Sequence, residues 1–266
     1  MEDVQVAPWI LVVPVKRTAI AKSRLAAAYP QHRPELARAF AADTVDAALA
    51  SPLVRAVLVV TDDPQVAADV TAAGAHVVPD LPAAGAHTVS DLPANGTNTV
   101  SDLPANGTHV VPELPPNGTH VVPELPANGL NEALEHGAAV AAAEFPGARI
   151  AALSADLPAL RPDELTAALA ACVADRSFVI DQPGTGTTML AAAPGVALDP
   201  RFGVGSALAH QASGAVPLDL AIPSVRRDVD TAADLADAVQ LGVGPRTAEV
   251  MSIVFGAVIG SEGLAC

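Results

Sequence analysis

Short runs of β-branched and apolar residues take turns along this chain with alanine- and leucine-rich segments of helical period, and this alternation limits the fold more than any other feature. A strand that is apolar on both faces needs cover on both faces, and the intervening helices supply it. The pattern therefore predicts an α/β fold around a mostly parallel sheet. Strands are expected over 9–15, 54–61, 148–153, 177–181 and 189–193, with extended chain over 216–222 and 225–229. Helices are expected over 34–50, 64–73, 131–143, 162–174, 204–212 and 231–241. Asp62 and Asp63 precede Pro64 as a helix start, since a carboxylate caps free N–H groups and proline suits the first turn.

One stretch breaks the alternation. An eleven-residue unit starting at Gly74 recurs at Gly85, Gly96, Gly107 and Gly118 and ends at Asn128. Its Leu-Pro and Asn-Gly punctuation excludes helix and makes a strand longer than four residues improbable. The block has no Lys, Arg or aromatic residue, so it has little to bury and is expected to form a mobile, partly extended loop. A small β-solenoid is the competing architecture, but it wants apolar positions stacked at every coil. The near identity of the units points to tandem duplication in a surface loop, where insertion costs little entropy. Sequons at Asn95, Asn106 and Asn117 are by-products of that duplication. His76, His87, His109 and His120 are expected to be solvated loop residues rather than metal ligands. Residues 1–246 then form one domain interrupted by the repeat at 74–128, with 247–266 as an apolar C-terminal tail, either a docked helix or a frayed end.

Charge and cysteine usage exclude whole classes. A net charge of −15 argues against a nucleic-acid binder or a basic membrane surface. Two cysteines, Cys172 and Cys266, make neither a disulfide framework nor a four-ligand zinc site. The start Met1-Glu2-Asp3 lacks the basic region of a secretory signal, and no apolar run reaches the ~20 residues of a membrane span. The chain is expected to be soluble and cytoplasmic.

Ligands of open α/β sheets collect at the carboxyl ends of the strands, where the polar residues of this chain fall. Directly after the first strand, Lys16, Arg17, Lys22 and Arg24 concentrate four of the fourteen basic residues in nine positions. Such a cluster in an acidic protein suits a polyphosphate. Asp156 follows a buried strand, and Asp228 and Asp230 precede the last periodic helix. Carboxylates there are the hard oxygen ligands that Mg²⁺ takes, although Asp230 is also placed to cap that helix and Asp156 to cap a turn. The Gly184–Thr188 loop and the Arg201–Ser206 segment offer backbone N–H groups and hydroxyls for a second anion. His210, a lone helical histidine, reads as structural. No Ser-His-Asp order, activated cysteine, P-loop or strand-linked Gly-x-Gly-x-x-Gly is present.

Taken together, Val15-Lys-Arg17, Ala21-Lys-Ser-Arg-Leu25, Leu130-Asn131, Ala155-Asp-Leu-Pro-Ala-Leu160, Gly184-Thr-Gly-Thr187, Arg201-Phe-Gly203 with Ser206, and Asp228-Val-Asp-Thr231 with Asp234-Leu235 resemble the 2-phospho-L-lactate / phosphoenolpyruvate guanylyltransferases of deazaflavin coenzyme biosynthesis. The resemblance runs from about Trp9 to Gly244, the repeat aside, and departs from the family in that repeat and in the apolar tail. It implies a three-layer, Rossmann-like nucleotidyltransferase fold of GT-A type, and transfer of GMP from GTP to a three-carbon phosphoacid with release of pyrophosphate. It further implies that Asp156 and Asp228, with Asp230 less directly, hold Mg²⁺. Lys16, Lys22 and Asn131 would meet the nucleotide, Arg24 would serve its phosphates or close the loop against a neighbouring acid, and Thr187, Gly203 and Ser206 would meet the phosphoacid. Phosphoenolpyruvate is the expected acceptor, with lactate and glycerate phosphates open. A nucleotidyltransferase for a molybdopterin or sugar-acid acceptor is the related alternative, and a repeat-bearing binding protein with relict activity the non-enzyme one. Partners other than GTP and the phosphoacid are not legible.

Overall fold

The computed structural model describes residues 7–15, 22, 24–72, 75–77, 118–122 and 129–262. Lys16, Arg17, Cys266, the sequon residues Asn95, Asn106 and Asn117, His87 and His109 lie outside the described residues. The described chain runs β1 (Trp9–Pro14), α1 (Arg33–Leu49), β2 (Val54–Val60), α2 (Pro64–Ala72), β3 (Ala75–Val77), β4 (Gly118–Val122), α3 (Leu130–Glu144), β5 (Arg149–Leu153), α4 (Pro162–Ala171), β6 (Arg176–Ile180), β7 (Thr187–Ala192), α5 (Ser206–Ala212), β8 (Val216–Pro217), α6 (Pro223–Arg226), α7 (Ala232–Leu241) and α8 (Pro245–Glu262).

One sheet of order β3-β4-β2-β1-β5-β7-β6-β8 holds the molecule together. It is mostly parallel, and β7 runs antiparallel to both of its neighbours. Along β1 the side chains alternate between two cores. Trp9, Leu11 and Val13 pack with residues of α1 and α4 on one face, while Ile10 and Val12 pack with residues of α3 on the other. Strand β1 is apolar throughout because both of its faces are covered. The result is the three-layer α/β arrangement expected of the alternation. Among the described residues no helix is long and apolar enough to cross a membrane.

The structure departs from the periodicity where local chemistry intervenes. The chain over 225–229 was expected to be extended, but Pro223 opens the short helix α6, whose Ser224 N–H donates to Glu164 at 2.8 Å. Extended pairing over 216–222 reduces to the two residues of β8. Helix α5 begins at Ser206 rather than Val204, because Gly203 and Gly205 adopt positive φ of 136° and 73° that a right-handed helix excludes. Asp63 does cap α2, its Oδ1 accepting from Gln65 N and Val66 N.

Two regions of the chain are more ordered than their composition suggested. The first and last units of the repeat supply β3 and β4, and the five-residue β4 exceeds the four allowed by its punctuation. They pair in parallel with like residues opposite, His76 to His120 and Val77 to Val121. Strand β4 also pairs with β2 over its full length, so the sheet, and not the repeat's own composition, holds it. After Gly244 the chain continues as α8, docked on α1 by a buried carboxylate. Asp43 Oδ1 accepts from Arg246 N at 3.1 Å and Oδ2 from Thr247 N at 2.8 Å, which caps α8 from another helix.

Candidate active site

A cleft of about 330 Å³ opens at the carboxyl ends of β1 and β5, lined by Val15, Lys22, Ser154, Asp156, Phe202 and Asp230 among others. Strand order reverses here, since β1 is flanked by β2 on one side and β5 on the other, and such a reversal leaves a crevice above the sheet.

The carboxylates come from two loops stitched together. Val229 N donates to Asp156 O at 3.0 Å, which brings the turn after β5 against the segment before α7. Thr44, fully buried on α1, grips the first turn on both sides: its Oγ1 accepts from Leu157 N at 3.1 Å and lies 3.2 Å from Ala155 O. Asp156 is thus anchored through its neighbours' backbone while its side chain faces the cleft. Thr231, and not Asp230, caps α7, in a reciprocal capping box with Asp234. That leaves the Asp230 carboxylate for Lys22.

Lys22 Nζ donates to Asp156 Oδ2 and, at 2.8 Å, to Asp230 Oδ1. Its backbone sits at φ +56°, a left-handed conformation that costs a side-chain-bearing residue about 1–2 kcal/mol and that concentrates at functional sites. Burial disfavours the Lys22 ammonium, but the carboxylates of Asp156 and Asp230 outweigh it and hold its pKa above that of a free lysine. Burial likewise works against the Asp230 charge, and Lys22 with Arg24 keeps that carboxyl below the usual range. Arg24 is largely exposed and lies 3.8 Å from Asp230. Asp228 is the strained member. Burial and the negative charges of Asp156 and Asp230 push it up to about 7, with Asp181 adding to the effect and Lys22 opposing it. This cluster holds more negative charge than Lys22 balances, and it calls for a further cation. Among the described residues no three His, Cys, Asp or Glu side chains form a ready-made metal cage.

A second wall lies beside the cleft, joined to it by Phe202, and is built on hydrogen bonds. Asp181 ends β6 and folds back into the Gly184–Thr188 turn, where its Oδ1 accepts from Thr185 N at 2.8 Å. A side chain at Gly186 would collide with that carboxyl, so glycine is required there. The register of β6 and β7 slips between Val179 and Ile180, pairing Ile180 with Thr187. This bulge turns Thr187 to the same face as Phe178 and Leu190, against α5, where regular alternation would have aimed it at the opposite core. There its Oγ1 is 2.9 Å from Nδ1 of His210, whose Nε2 accepts from Arg201 N at 2.8 Å. Asn131, expected at the nucleotide, binds Phe202 at both ends of its amide: Nδ2 donates to Phe202 O at 3.1 Å and Oδ1 accepts from Phe202 N at 2.8 Å. Ser206 is buried at the start of α5, and Ala207 N donates to Thr185 O, tying the helix to the glycine-threonine turn.

The structure therefore brings Lys22, Arg24, Asp156 and Asp230 together with Asp228 in their field, and groups Thr187, Gly203 and Ser206 about the start of α5, beside the cleft, with Asn131 as a brace. Lys16 lies outside the described residues. Thr44, Asp181 and His210 were missed as site residues. For Asp181 a local signal existed, a carboxylate four residues before a glycine-threonine turn, whereas Thr44 and His210 meet their partners only through the fold. Cys172 is no nucleophile, since it is buried at the end of α4 and burial pushes its thiol up to about 11.

No protein-family model matches the chain. Two similar curated proteins, each 50% identical, are the phosphoenolpyruvate guanylyltransferases of Salinispora arenicola, aligned over 90% of this chain and 92% of the relative, and of Streptomyces scabiei, over 90% and 94%. Among solved structures, a nucleotidyl transferase from Methanothermobacter thermautotroptrophicus superposes with a TM-score of 0.52 at 14% identity, covering 88% of this chain and 97% of that one.

Proposed function

Because the chain belongs to the phosphoenolpyruvate guanylyltransferase family, we propose that it transfers GMP from GTP to the phosphate of phosphoenolpyruvate and releases pyrophosphate. The observation that carries this is the cleft at the β1/β5 reversal, whose lining includes the charged Lys22, Asp156 and Asp230, with Asp228 in their field.

An oxygen of the acceptor phosphate attacks the α-phosphorus of GTP. The new bond joins that oxygen to phosphorus, and the bond to the bridging oxygen of the β-phosphate breaks, its electron pair leaving with pyrophosphate. The attacking phosphate is already ionised near neutral pH, so no general base is needed. Lys22 and Arg24, with Lys16, set positive charge towards the nucleotide phosphates. Asp156 and Asp228 would hold Mg²⁺, with Asp230 beside them. Their hard oxygens suit that ion, which takes one or two carboxylates and completes its shell with waters and phosphates. The metal would neutralise charge on the transferring and leaving phosphates. Thr187, Gly203 and Ser206 would meet the phosphoacid, braced from behind by Asn131. With both substrates made in the cytoplasm, the reaction belongs there, and its product suits assembly of a deazaflavin coenzyme.

Incubation with Mg²⁺, GTP and, separately, phosphoenolpyruvate, 2-phospho-L-lactate and 2-phosphoglycerate tests this by pyrophosphate release and product mass. Release with phosphoenolpyruvate, lost on replacing GTP by CTP or on adding a chelator, is the expected result. No release with any phosphoacid would overturn the function.

A further inference from the structure

His210 lies fully buried on α5 between two aromatic rings, its centroid 5.7 Å from Phe178 and 5.1 Å edge-on from Phe202. Both of its ring nitrogens are engaged, and one partner settles the protonation of the other. The partner of Nε2 is the backbone N–H of Arg201, which can only donate, so Nε2 must present its lone pair. A neutral ring then carries its proton on Nδ1, which donates to Thr187 Oγ1 at 2.9 Å. Thr187 accepts that bond, so its own hydroxyl proton is directed elsewhere. The bulge that turned Thr187 towards α5 is what makes the contact possible. Burial, with the nearby Arg176 and Arg201 guanidinium groups, outweighs Asp199 and lowers the ring's pKa to about 4, so it stays neutral at physiological pH.

Taking as given that Thr187 and Gly203 face the phosphoacid, we propose that His210 is a positioning residue for the acceptor. It fixes the Thr187 hydroxyl as a hydrogen-bond donor to an anionic oxygen and pins the segment leading to Gly203 in the same stroke. One ring spans both acceptor loops, so their separation is set by an imidazole and not by loop flexibility. A donor-only hydroxyl favours an ionised phosphate or carboxylate over a neutral group at that position, which makes His210 an indirect determinant of acceptor class.

Two measurements test this. In the intact protein without substrate, ¹⁵N spectra of labelled histidine should show His210 as the Nδ1–H tautomer and not titrating between about pH 6 and 8. A proton on Nε2, or a titrating ring, would overturn the proposal. In steady-state kinetics His210→Gln, which cannot keep both contacts, should raise KM for phosphoenolpyruvate roughly 10- to 100-fold, the worth of one hydrogen bond to a charged group, and move KM for GTP less than about twofold. Thr187→Val should raise the same KM, and adding His210→Gln to it should then have little further effect. Thr187→Ser, which keeps the hydroxyl, should restore most of the parent value. Equal changes in both KM values, or a full additional effect of His210→Gln in the Thr187→Val background, would reduce His210 to a packing residue. An inactive parent would overturn the proposed reaction instead, and the tautomer, read without substrate, would still decide the role of His210.

Discussion

Two walls, the charged one at the cleft and a neutral one beside it, hold their residues by different physics. On one, Lys22, Asp156 and Asp230 are held by opposite charges at short range, and burial with the like charges nearby pushes Asp228 up to about 7. On the other, Thr187, His210, Arg201, Phe202 and Asn131 are linked by neutral hydrogen bonds of 2.8–3.1 Å with donors and acceptors matched. The first wall is electrostatically unfinished until cations and phosphates arrive, and the second has its internal hydrogen bonds in place before any ligand binds. Chemistry at the charged wall should therefore govern turnover, and the neutral wall should govern which acceptor fits and how tightly.

The strongest challenge to that division is Asp156→Asn. It should lower turnover at least ~10²- to 10³-fold, the scale of losing a principal electrostatic contact, with an unchanged circular dichroism spectrum. Turnover near the parent's would remove Asp156 from the metal site. Asp228→Asn should also cost activity, yet it should stabilise the metal-free protein. With its folded pKa raised from 3.8 to about 7, Asp228 favours the fold when protonated, and that contribution is lost as pH rises from about 4 through 7. Thermal melts should show the variant more stable than the parent by about 1–3 kcal/mol at pH 8 and by almost nothing near pH 4. An equal gain at both pH values would show that burial of the Asp228 charge is not the cause.

Thr44→Val sharpens the comparison from behind the charged wall. Leaving Leu157 N–H without its buried partner should cost about 1–3 kcal/mol of stability and raise the Mg²⁺ concentration for half-maximal rate, with Thr44→Ser recovering most of both. A metal requirement unchanged in Thr44→Val would confine Thr44 to stability. The smallest effect belongs to the repeat. Deleting residues 74–117 joins α2 to the last unit, whose strand already fills the place beside β2, so kcat and both KM values should stay within about twofold. A larger change in either would tie the repeat to one wall or the other.

Most of the architecture could be read from the residues. Apolar runs buried on both faces and helices of clear period gave β1, β2, β5, α1, α3 and α4 close to their observed limits, because local periodicity and tertiary burial agree there. The charged wall was legible as well, since lysines and aspartates at strand ends have few other uses. The errors lie where a distant partner overrode local propensity. The segment after Ile222 became helical α6 through Pro223 and Glu164, and the outer repeat units became strands β3 and β4, of which β4 pairs with β2. His210 looked like any buried histidine because its two partners lie 9 and 23 residues off and meet it only after β7 bulges.

By itself the sequence determined the layers and the kinds of charge at the cleft, because hydrophobic period and residue type act locally and survive in any compact arrangement of these segments. Which aspartate met Lys22, 208 residues away in one case, which hydroxyl faced the imidazole and which repeat unit entered the sheet were decided only by the tertiary structure. Hydrogen bonds and ion pairs depend on ångström-scale approach between groups far apart in the chain, and only the packed sheet supplies it.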